Sequence, residues 1–69
     1  MTYDFKMICF YEKKHGGISE PETHEFFDVP EERVLNIMSK EMLAEMVETG
    51  VTWWKMSNIH FRYELVEAK

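Results

Sequence analysis

Apolar residues recur at every second position from Tyr3 to Glu12, which places Phe5, Met7, Cys9 and Tyr11 on one face of an expected strand. The other face carries Lys6, Ile8 and Phe10, so its centre is apolar as well. Gly16-Gly17 marks a turn. A second strand is expected from about Glu22 to Val29, with Pro21 barring pairing just before it. The period then changes. Val34, Leu35, Met38, Met42, Leu43 and Met46 recur at helical spacing, and Met38, Met42, Leu35, Met46 and Leu43 fill one broad arc, with Ile37 pointing away from it. Asp28 and Glu31 have the spacing of a capping box, Pro30 suits a first turn, and Gly50 is a left-handed stop. Val51 to Met56 and Ile59 to Val66 read as two further strands joined at Ser57-Asn58, or as one long bulged strand.

The expected order is β-β-α-β-β. This is an α+β fold with one helix packed on one face of a small antiparallel sheet of three or four strands, in a single domain spanning 1–69. One helix covers one face of such a sheet. Phe26 and Phe27 are neighbours, as are Trp53 and Trp54, so a regular strand turns one of each pair to the uncovered side. With Ile8 and Phe10 these residues form the expected interface, unless a bulge turns both members of a pair inward.

Charge adds a second candidate surface. The net charge is −5. Nine acidic residues against Arg33 and Lys40 put −7 between Glu20 and Glu48, and each flank carries +1. Chains that grip duplex DNA gather Lys and Arg instead. Glu41, Glu45 and Glu48 share one helix flank, which is either a solvated surface or a docking site for a basic partner.

Catalytic chemistry finds little support in the spacing. Cys9, His15, His24 and His60 show no zinc-like pairing, and Cys9 lies mid-strand between Ile8 and Phe10, so no metal, cofactor or catalytic residue is expected. Gly16-Gly17 matches no phosphate-binding loop. The aromatics lack the basic groove that single-stranded nucleic acid requires. A lone cysteine fits a reducing compartment, no stretch is apolar enough to span a membrane, and Met1 to Lys6 lacks the layout of a signal peptide, so a cytoplasmic protein is expected.

The small acidic form is similar, in composition only, to many short bacterial and phage proteins. The leading functional expectation is a non-enzymatic protein-interaction module, homodimeric through the sheet face opposite the helix. The alternative is an acidic inhibitor or nucleic-acid mimic that binds a basic partner. A third is a small enzyme or ligand-binding dimer with a pocket near Cys9, His24 and His60.

Overall fold

The structure, a computed structural model, describes residues 1–66. Residues 67–69, the end of the expected domain, lie outside it. The chain runs β1 (Thr2–Tyr11), β2 (Glu22–Pro30), α1 (Glu31–Ile37), α2 (Lys40–Thr49), β3 (Val51–Met56) and β4 (Ile59–Leu65). The four strands form one antiparallel sheet in the order β2-β1-β4-β3. The α+β fold is therefore the expected one, with four strands. Hairpins β1–β2 and β3–β4 lie side by side, and the helices carry the chain from one sheet edge to the other.

Both helices lie on the face bearing Phe5, Phe26, Trp54 and Tyr63. Phe5, Val34, Met38, Leu43, Met46 and Tyr63 are buried and form the core. Phe5 stacks on Phe26 at 4.9 Å between ring centres and meets Tyr63 edge-on at 6.2 Å. Trp54 stacks on Phe61 at 4.5 Å, and its indole N–H donates to the Tyr63 hydroxyl at 3.3 Å. That bond pairs the two polar tips with each other, so neither ring leaves its polar group unmet.

The helical segment is two helices, not one. Val34 and Leu43 are both buried. At about 100° per residue, nine residues place them about half a turn out of phase, on opposite sides of any continuous helix. The chain resolves the conflict by breaking. Met38 is extended (φ −139°), and the Ser39 hydroxyl caps α2 by accepting from the Met42 amide at 3.2 Å. The change of axis buries Met38 and packs Ile37 against the core, although a continuous helix points Ile37 away.

The expected capping box does not form. Asp28 is used instead in a β-bulge opposite Asp4, where the pairing register of β1 and β2 shifts. Its φ is +52°, and its amide donates to the Asp4 carboxylate at 2.7 Å. α1 starts at Pro30 with no side-chain cap. Gly50 ends α2 as expected, with φ +89° and an amide bond to the Met46 carbonyl at 2.8 Å. Any residue with a Cβ is strained there, so Gly50→Ala is expected to cost about 1–2 kcal/mol, read as a lower urea midpoint at unchanged slope.

Candidate interaction site

β3 is one of the two edge strands of the sheet. The Leu65 amide bonds to the Gly50 carbonyl at 2.9 Å, which makes Gly50 and Leu65 a hydrogen-bonded pair of the β3–β4 ladder. Antiparallel ladders alternate, so Thr52, Trp54 and Met56 also bond inward to β4. Val51, Trp53 and Lys55 then aim their amides and carbonyls outward. The Thr49 hydroxyl confirms the phase, because it reaches the Val51 carbonyl at 2.9 Å as well as the Glu45 carbonyl at 2.8 Å. The outward groups of Trp53 and Lys55 have no backbone partner among the described residues.

The same Thr49 contact places α2 above this edge. Glu45 and Glu41 lie one and two turns before Thr49 on that side of the helix, whereas Glu48 lines a hollow on the other flank with Tyr3, Lys40, Ala44 and Val47. All three carboxylates are exposed and make no ion pair among the described residues. Further along, Trp54, Met42, Met38, Ile37 and Leu35 line an open hollow of about 250 Å³ at the break between the helices. Glu41 and Glu45 thus lie on the β3 side of α2, and the apolar hollow adjoins Trp54 of β3.

The opposite sheet edge is closed to pairing by its chemistry. β2 carries Glu22, Glu25 and Asp28, follows Pro21 and contains the bulge. Charged side chains, lysine above all, proline and bulges are the common means by which an edge strand is kept from adding a neighbour. β3 has only Lys55 of these.

The expected interface residues divide between the two faces. Phe26 and Trp54 turn toward the helices. Phe27 and Trp53 point away and are 59% and 55% exposed. Ile8 and Phe10 share the uncovered face and are half-buried. The apolar groups there do not form an unbroken patch. Across the sheet, Thr23, Ile8, Arg62 and Trp53 fall in one row, and Phe10, His60 and Lys55 in the next. The Arg62 guanidinium lies 4.5 Å from the centre of the Trp53 ring, a cation–π contact, and its buried Nε has no hydrogen-bond partner among the described residues. His60 stacks on Phe10 at 4.8 Å. Glu12 bridges Lys55 at 3.4 Å and His60 at 3.3 Å.

The hydrogen bond from His60, and then the charge of Lys55, hold the Glu12 carboxyl below its ordinary value of 4.5. A lowered folded value means that the ionised form stabilises the fold. That contribution is present above the ordinary value and is lost as pH falls through the lowered one. In a side-chain carbon NMR titration the Glu12 midpoint is expected below 4.5, and His60→Ala should move it upward. A wild-type midpoint at or above 4.5 contradicts the bridge.

The groups named for chemistry separate as well. His60 sits on the uncovered face with Phe10, and His15 is exposed in the loop after β1. Cys9 and His24 do come together, on the other face, and Glu22 joins them. Glu22 drew no notice in the sequence because its proximity depends on the β1–β2 register, which pairs Cys9 with Glu22 and Met7 with His24.

No protein-family model matches the chain, and no similar curated protein or solved structure is found. No helix of the described residues is long and apolar enough to cross a membrane.

Proposed function

We propose that this chain is a non-enzymatic protein-interaction module whose β3 edge receives an extended, basic segment of a partner protein as an added strand. The carrying observation is the outward backbone of Trp53 and Lys55 at a sheet edge that α2 adjoins through Thr49, with the exposed carboxylates of Glu41 and Glu45 on the Thr49 side of that helix. Strand addition takes its affinity from main-chain bonds and its specificity from alternate side chains. On the helix side, alternate side chains of the guest meet the acidic row and the hollow beside Met42. On the other side they meet Trp53. Lysine or arginine facing the carboxylates complements them, and electrostatic attraction speeds the encounter. With a single thiol, Cys9, the proposed compartment is the reducing cytoplasm.

Homodimerisation is the second reading. The exposure of Phe27 and Trp53 favours it. Two features weigh against it: the uncovered face is interleaved with charge, and a two-fold pairing of β3 with its own copy brings the Glu41 and Glu45 rows of two helices together.

The test uses a synthetic peptide of alternating lysine and isoleucine, with a glutamate–isoleucine peptide as control. The basic peptide should bind, change tryptophan emission and weaken with salt. Lys55→Pro removes one outward amide while sparing the bonds to β4, so it should keep the circular dichroism and lose the binding. Its lost ion pair with Glu12 is exposed and contributes little. Equal binding of the acidic peptide, or full binding by Lys55→Pro, refutes the reading. Light scattering should give the 8.3 kDa chain mass, and twice that mass favours the homodimer.

A further inference from the structure

We infer that Cys9, Glu22 and His24 form a three-ligand site for a zinc-class divalent cation, independent of the β3 edge. One ligand atom from each side chain, a thiol sulfur, a carboxylate oxygen and an imidazole nitrogen, lies within 4.8 Å of the other two. His24 Nε2 and Glu22 Oε2 are 3.9 Å apart. In a tetrahedral zinc site with bonds of about 2.0–2.3 Å, neighbouring ligand atoms stand about 3.3–3.6 Å apart. Closing the triangle therefore takes a shift of roughly 1 Å at side-chain ends. Glu22 and His24 have room to make it, since their side chains are 77% and 53% exposed.

The backbone holds the three positions in place. Cys9 and Glu22 are directly opposite in the β1–β2 ladder, and His24 is two residues beyond Glu22 on the same face. An open hollow of about 240 Å³ adjoins Cys9 and Glu22 and is also lined by Tyr11, Ser19 and Ile59, leaving room for a water molecule as a fourth ligand. Thiolate with imidazole and carboxylate is a donor set that suits zinc and cobalt and ill suits magnesium or calcium. Binding displaces the thiol proton to solvent and bridges β1 to β2.

Cobalt(II) titration under reducing conditions reads the site directly. The expected result is one ion per chain, with a sulfur-to-metal charge-transfer band in the near ultraviolet and the strong visible bands of a four-coordinate ion. Cys9→Ser should abolish the charge-transfer band, and His24→Ala should weaken binding at least tenfold. Zinc should displace cobalt and raise the melting temperature of the wild type, leaving Cys9→Ser unmoved. Both variants alter partly exposed side chains, and matching circular dichroism verifies their folds. The inference fails if millimolar cobalt gives no charge-transfer band, if His24→Ala binds as tightly as the wild type, or if one ion binds per two chains.

Discussion

Phe5→Ala is expected to remove about 3–5 kcal/mol of stability, a large part of what so short a chain has. Phe5 is fully buried at the middle of the helix-covered face, stacked on Phe26 and edge-on to Tyr63. It sits on a central strand and pairs with both neighbours, opposite Phe26 on β2 and Leu65 on β4. Truncation opens a void between two strands and the helices, and the ladder keeps the strands from closing over it. A folded domain has roughly 0.05–0.15 kcal/mol of stability per residue, so a chain this short has only about 3–10 kcal/mol to lose. Urea unfolding followed by circular dichroism measures the change. Ile8→Ala, at a half-buried position on the uncovered face of the same strand, is the control and should lose clearly less. Equal losses contradict the placement of the core.

Reversing Glu41, Glu45 and Glu48 to lysine together should weaken binding of the basic peptide by about 10- to 100-fold at low salt. Exposed charge pairs contribute roughly 0.2–1 kcal/mol each, and the pairs at Glu41 and Glu45 become repulsions, with Glu48 adding to the field from the far flank. Stability should barely change, because Glu41 and Glu45 already repel one another at i,i+4 by only a few tenths of a kcal/mol. The loss should shrink as added salt screens the exposed charges. Unchanged affinity in the triple variant removes the acidic row from the recognition surface and leaves the backbone edge and Trp53 as the whole of it.

The strands, the Ser57-Asn58 turn and the Gly50 stop were legible because each is a local pattern. Ile59, Phe61, Tyr63 and Leu65 alternate cleanly, and only glycine adopts φ +89° without strain. The broken helix was hidden by its own hydrophobicity. Leu35, Met38, Met42, Leu43 and Met46 fit one wide arc, and the contrary signals, Val34 opposite Leu43, Ile37 off the arc and Ser39 as a cap, are weak beside them. Asp28 misled for a related reason. Aspartate suits a helix cap and a left-handed bulge equally, and the choice depends on Asp4, 24 residues away. Of the Cys9–Glu22–His24 cluster, Cys9 with His24 was among the expectations and Glu22 was not. Its register passes through an irregular loop from Lys13 to Pro21 whose length alone does not set pairing. The surplus aromatic surface was correctly divided between two faces. Its covering by Arg62 and His60 depends on which residues of β4 stand opposite Trp53 and Phe10.

The pairing of β1 with β4 has a consequence for how the chain reaches its fold. Each hairpin can zip locally, but positions as distant as Phe5 and Leu65 must meet before either central strand has both neighbours. Closing so long a loop is costly in entropy and is repaid only late, so the docking of two preformed hairpins should set the folding rate. α1 and α2, of 7 and 10 residues, are too short to persist alone and should appear in step with that docking. A ribosome must therefore release the final strand before the first can acquire its second neighbour.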